Sequence, residues 1–278
     1  MSVIKNNKNY GTRVILLGEP PVPPTPTGDY FYVEDASGSD STLTITQRLG
    51  GDSMEVFCSI DQQTWVSMGT TTRETPITAT VPANGKLYLK TVIDKWYPNS
   101  MSVSANYNIG GNIMSLLYGD EYADATFTNL NRNAFTSLFR SDTNLLNAED
   151  LILPENVVLD CYSSMFIDCS NLRTAPALPA TTLAEDCYNL MFIRCTSLAT
   201  APVLPATTLA EQCYYGMFYG CSNLNKIVTF ADDISATNCI NGWLSGVAAT
   251  GDFYNYGNAT YQSGVSGIPS GWIEHNLE

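Results

Sequence analysis

Side chains suited to catalysis or metal binding are scarce in this 278-residue chain. Its single histidine, His275, lies three residues from the C-terminus, so a Ser-His-Asp or Cys-His arrangement would depend on a tail that we expect to fray. The eight cysteines form no CxxC pair, which argues against zinc ligation. Calcium held by acidic turns at Asp29 or Asp52 stays open, although no EF-hand or RTX spacing is present. We therefore expect no enzyme activity, no cofactor and no metal site.

Basic residues and long apolar segments are also scarce. The chain has 13 Lys and Arg against 27 Asp and Glu, and a net charge of -14 opposes binding to nucleic acid. The apolar run Val14–Leu17 is too short for the core of a signal peptide, and no run of 18 apolar residues could span a membrane. We expect no nucleic-acid partner, no membrane insertion and folding in a cytoplasm, where free thiols behave as small buried hydrophobes.

The N-terminal region divides into an arm and a linker. Residues 1–19 form a polar arm that ends in the β-like run Arg13–Leu17, and this arm has no apolar face large enough to fold alone. We expect it to order only against a partner. Residues 20–28 form the linker, in which five prolines favour a stiff polyproline II spacer.

Residues 29–108 alternate apolar and polar side chains with the period of half-buried strands. Turn residues at Gly50-Gly51, Asp61-Gln62-Gln63 and Ala83-Asn84-Gly85 separate the strands. This pattern predicts an immunoglobulin-like β-sandwich that lacks the paired cysteines of a true immunoglobulin domain, since Cys58 stands alone. The predicted strands are TLTIT (42–46), MEVFCSI (54–60), TWVSM (64–68), ITATV (77–81) and KLYLKTV (86–92).

Beyond Gly110 the sequence repeats itself every 26 residues. Apolar and sulfur-containing side chains recur in columns, and the clearest of these are Cys161, Cys187, Cys213 and Cys239; Cys169, Cys195 and Cys221; Met165, Met191 and Met217; and Phe166, Phe192 and Phe218. An earlier, degenerate copy lies 27 residues upstream, around Phe135 and Phe139. Because one repeat cannot enclose a core, this period predicts stacked coils that bury each column as a ladder.

These columns predict a solenoid of stacked coils over residues 133–247, with residues 109–132 before it and residues 248–278 after it. In each coil we expect the CYxxMF segment to form a helical or 3₁₀ turn with Tyr, Met and Phe facing inward. The CxxLxTAPxLP segment would supply a strand to a parallel sheet. The fold class is therefore mixed and mainly β: an arm and proline linker, a sandwich and a short solenoid with 26-residue coils.

The unit LPATTLAEDCYNLMFIRCTSL (178–198) resembles the Treponema-type, BspA-like leucine-rich repeat. The resemblance implies a leucine-rich-repeat solenoid over residues 133–247, between an entry cap (109–132) and a C-terminal cap (248–278). GNIMSLLYGDEY (111–122), SATNCINGWLSGV (235–247) and GVSGIPSGW (264–272) resemble the caps of proteins that carry these repeats in gut Bacteroidales and their phages. CSIDQQTWVSM (58–68) resembles the strand-turn-strand unit that often precedes the repeats. Bacterial members are usually exported lipoproteins. Because this chain shows neither a signal sequence nor a lipidation cysteine, the resemblance favours a phage virion protein, most like a crAss-like phage head fibre or related appendage.

The resemblance implies a non-enzymatic protein of the virion surface, anchored by its arm to capsid or other virion proteins and assembled as a homo-oligomer, with a trimer favoured. The anchoring residues would be Ser2, Val3, Ile4, Lys5, Tyr10, Arg13, Val14, Ile15, Leu16 and Leu17. The alternative is a Bacteroidales cell-surface adhesin with the same repeats. Exposed tyrosines would suit weak contact with host glycan, against the alternative that they pack in the core or in a trimer interface. The candidates are Tyr214, Tyr215, Tyr219, Tyr254 and Tyr256.

Overall fold

A computed structural model describes residues 29–47, 53–72, 75–91, 99–122 and 132–277. The predicted arm (1–19), the linker (20–28) and the Gly50-Gly51 turn lie outside these residues. Within them the chain is mainly β, as predicted, with twelve strands and one short α-helix.

Eight strands form the N-terminal half of the described chain. The five predicted strands are confirmed as β2 to β6, whereas β1, β7 and β8 were not predicted. The bounds are β1 Tyr32–Asp35, β2 Ser41–Gln47, β3 Met54–Ser59, β4 Val66–Thr71, β5 Ile77–Val81, β6 Lys86–Thr91, β7 Asn99–Val103 and β8 Tyr107–Asn112. In β2 every second residue is buried, which is the burial expected for a strand with one face on a core.

These strands make two sheets around a shared core. The larger sheet has the order β4-β3-β6-β1-β8-β9, where β9 is Leu145–Ile152, and the smaller has the order β5-β2-β7. All pairs among β1 to β8 are antiparallel, and β8 then pairs in parallel with β9. Val33 and Leu89 of the larger sheet belong to one hydrophobic cluster with Leu43 and Val103 of the smaller one. Because β9 lies within the repeat region, just after its first turn segment (133–141), the two halves of the molecule share a sheet.

The segment between β8 and β9 starts with the helix α1 (Ser115–Tyr118) and a 3₁₀ turn (Gly119–Glu121). The Ser115 hydroxyl donates to the Leu89 carbonyl and accepts from the Phe31 N–H. These bonds fix the helix against β1 and β6, so the predicted entry cap packs on the N-terminal sheets.

Five turn segments follow one another at the predicted period: 133–141, 160–168, 186–194, 212–220 and 238–246. In residues 160–168, successive N–H groups donate alternately to a carbonyl of the same coil and to a carbonyl of the next coil. The N–H of Ser163 donates to the carbonyl of Asp160 in the same turn segment, whereas the N–H of Tyr162 donates to Cys187 in the next one. Across the four interfaces, twenty such bonds of 2.7–3.3 Å link each turn segment to its successor. The segments are therefore stacked.

The prediction of a helical or 3₁₀ conformation for these segments is wrong, although Tyr, Met and Phe do face inward. The first, fifth and ninth residue of every turn segment has a positive φ, which a right-handed helix does not allow. In residues 160–168 these are Asp160, Ser164 and Asp168. The inward residues consequently recur every four residues, as Cys161, Met165 and Cys169 do, instead of every 3.6.

The opposite side of the repeats forms strands only where proline is absent. Strands β10 (Lys226–Thr229), β11 (Gly251–Asn255) and β12 (Trp272–Asn276) make a parallel sheet. In the repeats with the TAPxLP sequence, the structure shows single bridges, such as Asn147 with Thr174 and Thr200 with Lys226. The predicted strand in each coil is therefore only partly formed, because proline has no N–H to donate to a ladder.

Two columns of stacked aromatic rings run through the described part of residues 29–277, which we call the body. The first joins Phe31, the residue before β1, to the repeats, with successive ring centroids 5.4–6.3 Å apart, and consists of Phe31, Phe139, Phe166, Phe192 and Phe218. The second has spacings of 5.8–6.5 Å and consists of Phe135, Tyr162, Tyr188, Tyr214, Trp243 and Tyr261. One continuous core thus extends from the N-terminal sheets to the last strands.

Candidate functional site

The columns predicted from the repeat are all in the core. Every one of the thirteen Cys, Met and Phe residues named for the ladder is buried, and the largest exposed fraction among them is the 2% of Cys239. These residues hold the coils together and are not available to a ligand.

The second cysteine column has a specific structural role. The thiols of Cys169, Cys195 and Cys221 each donate to a phenylalanine carbonyl of the preceding coil, at 2.9–3.1 Å. Burial raises the pKa of Cys221 to about 12, and it raises the pKa of the other two thiols as well. They are therefore protonated donors, and the cysteines of the described residues form no disulfide.

The five candidate glycan-facing tyrosines do not form one site. Tyr214 is 1% exposed and stacks between Tyr188 and Trp243, so its prediction as a surface residue is wrong. The period of four explains its place, since Tyr214 lies next to Cys213 at an inward position. Tyr215 and Tyr219 lie on the side of the body that the turn segments form, which we call the turn side, and Tyr219 is 47% exposed.

Tyr254 and Tyr256 lie on the opposite side, on a surface that we call the outer sheet face. It consists of the outward residues of β10 to β12 and the positions that follow them: Lys226, Val228, Phe230, Asp252, Tyr254, Tyr256, Ile273 and His275. The parallel register places outward residues of neighbouring strands side by side, as it does Val228, Tyr254 and His275. Consequently, Phe230 and Tyr256 stack with ring centroids 5.0 Å apart, and Tyr254 and His275 stack at 4.6 Å.

The stacking decides which parts of the rings a ligand could reach. The His275 ring stacks on one face of the Tyr254 ring, and the Lys226 ammonium lies 5.4 Å from the centroid of the Tyr254 ring. The outer sheet face therefore offers ring edges, a phenol hydroxyl and charged groups more than it offers an open aromatic platform. Phe230, Val228 and Ile273 were not predicted as part of a site, although their period-two spacing in sequence could have indicated it.

His275 is part of this face and not of a frayed tail. It lies in β12, and its Nε2 is 2.7 Å from a carboxylate oxygen of Asp252. Trp272 anchors the strand, because its indole N–H donates to the Ala248 carbonyl and its ring is buried. The His275–Asp252 pair is partly exposed.

A second cluster, which we call the aromatic base, lies where the described chain begins. Tyr30 contacts Trp65 with ring centroids 4.7 Å apart and Tyr122 at 5.0 Å. The Lys90 ammonium lies 4.3 Å from the Trp65 centroid and 2.6 Å from Asp120. The Tyr30 hydroxyl also donates to Asp120, so the first described residues are fixed to the larger sheet. None of these residues was predicted as a site.

In the part of the chain that the structure describes, no group of three or more His, Cys, Asp or Glu side chains could hold a metal ion. No described helix has the length and hydropathy of a membrane span. An open depression beside the last turn segment is lined by Asn238, Asn241, Ser266 and their neighbours. The predicted anchoring residues, Ser2 to Leu17, lie outside the described residues.

Comparison with protein-family models, with curated proteins and with solved structures finds no match for this chain.

Proposed function

We propose that this chain is a non-enzymatic structural protein of a phage virion, a head fibre or related appendage, in which the arm attaches to the particle and the body is displayed. The observation that carries the proposal is the continuous core from Phe31 to Tyr261. A body without a hinge between its halves suits display at a distance from an attachment point. The aromatic base holds Tyr30 at the start of that body, next to the linker.

In the same proposal the two N-terminal sheets are an immunoglobulin-like sandwich, and the stacked repeats are a leucine-rich-repeat solenoid of the BspA-like type. The antiparallel pairing of β1 to β8 around one core supports the first assignment. The 26-residue period of the twenty linking hydrogen bonds supports the second.

The outer sheet face is the surface that we propose for weak contact with host glycan. Its phenol, imidazole and carboxylate groups suit hydrogen bonds to sugar hydroxyls, and half-buried rings add apolar contact. Because the face of Tyr254 is already covered by His275, affinity for a single site would be low. Many copies on one particle would turn such contacts into retention through avidity.

The virion assignment is tested on purified particles by mass spectrometry and cryo-electron microscopy. We expect the chain in stoichiometric amount, with its N-terminal arm (1–19) ordered on the particle. Finding the chain on the surface of bacterial cells, and absent from particles, would instead support the adhesin. Hydrolysis of capsular polysaccharide by the purified protein would contradict a non-enzymatic role.

The glycan surface is tested with immobilised protein and host mucin glycans. Tyr256→Ala removes an aromatic ring from the outer sheet face, and Tyr219→Ala is the matched control on the turn side. Retention of glycan should fall for the first variant alone. An equal loss in both variants, or a loss in Tyr219→Ala alone, would rule out the outer sheet face as the binding surface.

A further inference from the structure

Strand β4 is an open edge of the larger sheet. In the described residues it pairs with β3 on one side, and it is the terminal strand of the sheet order. Its sequence, VSMGTT, contains no charged residue and no proline. Val66 at its start is 60% exposed, and Ile60 in the preceding turn is 70% exposed. A strand of this kind presents free N–H and C=O groups that readily pair with another chain.

Three other edges in the described sheets, those of β5, β12 and β7, are protected. Pro76 and Pro82 flank β5, and Glu274 and His275 lie in β12. In β7, the Met101 N–H donates to the Leu138 carbonyl, so that edge is closed by the first turn segment. Proline, charge and coverage are the usual ways of blocking edge pairing. Among the described residues β4 has none of these three; it carries one bulge, where the ladder with β3 skips Met68 and the Gly69 N–H donates to the Ser67 hydroxyl. Its other outward N–H and C=O groups leave this edge able to pair with another strand.

The chain itself provides a strand of matching character. RVILL (13–17) is an apolar, β-branched run of five residues. Residues 1–18 contain Lys5, Lys8 and Arg13 and no acidic residue, whereas the whole chain has a net charge of -14. Glu55 of β3 and Asp61 lie beside β4, and the Glu55 carboxylate accepts a hydrogen bond from Ser67 on β4. The arm and this edge are therefore complementary in charge.

The first described residues, which follow the predicted linker, also lie beside β4. Asp29 accepts a hydrogen bond from Gln62 in the β3–β4 turn, and Tyr30 packs against Trp65. A spacer of the predicted polyproline II kind rises about 3.1 Å per residue, so eleven residues would reach about 34 Å, whereas β4 is about 20 Å long. The predicted spacer is therefore long enough for residues 13–17 to reach the β4 edge of a neighbouring chain.

We infer that Arg13–Leu17 adds as a strand to β4 of a second copy of this chain, so that exchanged arms join the copies. Main-chain hydrogen bonds to β4 provide the pairing, and the exposed side chains of Ile60 and Val66 receive the apolar residues of the arm. Residues 2–10 stay free to contact another virion protein. The inference concerns contact between copies, and it does not depend on the proposed attachment to a particle.

The test is disulfide trapping in the full-length chain with Cys58→Ser, which removes the half-buried thiol next to Val66. Ile15→Cys combined with Val66→Cys should form a covalent oligomer under mild oxidation, with a 15–66 link between chains identified by mass spectrometry. The matched control combines Ile15→Cys with Val265→Cys, which is 59% exposed and lies near the last strands. We expect no oligomer from the control.

A 15–66 link within one chain would overturn exchange between copies, and a yield no higher than that of the control would overturn pairing with β4. A second variant needs no disulfide. Val66→Lys places a charge on the edge and should convert the oligomer to a monomer in light scattering, with the thermal midpoint of the body unchanged. An oligomer that survives Val66→Lys would contradict the inference, and Val265→Lys serves as its control.

Discussion

The N-terminal sheets and the stacked repeats bury their cores by different rules. In the sheets, each inward side chain has its own neighbours, as Leu43 and Val103 do on paired strands. In the repeats, an inward side chain lies between two copies of itself, as Phe192 does between Phe166 and Phe218. A substitution in the sheets therefore disturbs one contact set, whereas a substitution in the repeats disturbs two equivalent interfaces. Polar groups differ as well, since Tyr107 has an acceptor for its hydroxyl and Tyr188 has none.

The largest expected effect is in the middle of an aromatic column. Phe192→Ala should lower the free energy of unfolding by about 3–5 kcal/mol, because it leaves a cavity between two rings. Phe218→Ala is the matched control, since its ring stacks on one phenylalanine only, and its loss should be smaller by about 0.5–1.5 kcal/mol. Urea unfolding measures both variants. Equal losses would mean that the repeats do not act through stacked neighbours.

The next prediction compares two buried phenols. The Tyr107 hydroxyl donates to Asp142 at 2.9 Å, and burial raises the pKa of this carboxyl. Tyr107→Phe should cost about 1–3 kcal/mol because it removes a donor from a buried acceptor. Tyr188→Phe should be neutral or stabilising, since the buried hydroxyl has no hydrogen-bond partner in the described structure. Thermal unfolding measures the stability of both variants. A stability loss in Tyr188→Phe as large as that in Tyr107→Phe would contradict the comparison.

A smaller effect is expected at the left-handed positions of the turn segments. Gly216 has a φ of 54°, and an added Cβ would lie 2.6 Å from Leu190 Cδ2. Gly216→Ala should therefore combine backbone strain with a side-chain shift, and it should cost about 1–2 kcal/mol. Gly242 has a φ of 66°, and no atom lies within 4 Å of an added Cβ. Gly242→Ala therefore measures the backbone strain alone. A larger loss in Gly242→Ala would show that Leu190 does not limit the site.

The smallest perturbation is thiol labelling, which leaves the fold intact. Cys58 in the sheets is half-buried, whereas the seven cysteines of the repeats are buried. Burial raises the pKa of Cys161 to about 12, so the reactive thiolate is rare as well as covered. At neutral pH we expect one thiol to react in the native protein and eight in denaturant. Rapid labelling of the repeat cysteines would indicate that the stack opens readily.

The columns of the repeat could be predicted because identical residues at a fixed step must lie above one another. The conformation of the turn segments was not predicted. Their N–H groups alternate between hydrogen bonds within a coil and hydrogen bonds to the next coil, and the spacing of apolar residues does not report this alternation. The signal that was available is the four-residue spacing of Asp160, Ser164 and Asp168, residue types that tolerate or favour positive φ. Leu190 and Arg194 occupy equivalent positions and conceal it.

Other features depended on contacts that a linear pattern does not carry. The parallel pairing of β8 with β9 joins two regions that the sequence divides at residue 108. The burial of Tyr214 follows from its place between Tyr188 and Trp243, and the ordering of His275 follows from the pairing of β12 with β11. Of the outer sheet face, only Tyr254 and Tyr256 were predicted, because the parallel register that brings the other residues beside them is not visible in the sequence.

The identical bonding at each level gives the repeats a modular length. Every interior turn segment receives five hydrogen bonds from the one before it and donates five to the one after it. A duplicated 26-residue unit would meet the same surfaces above and below, so it would insert without altering either end. Each duplication would move the two ends apart by about 4.8 Å, the spacing of neighbouring strands. The gene could thus set the reach of the protein in uniform increments by gaining or losing whole units.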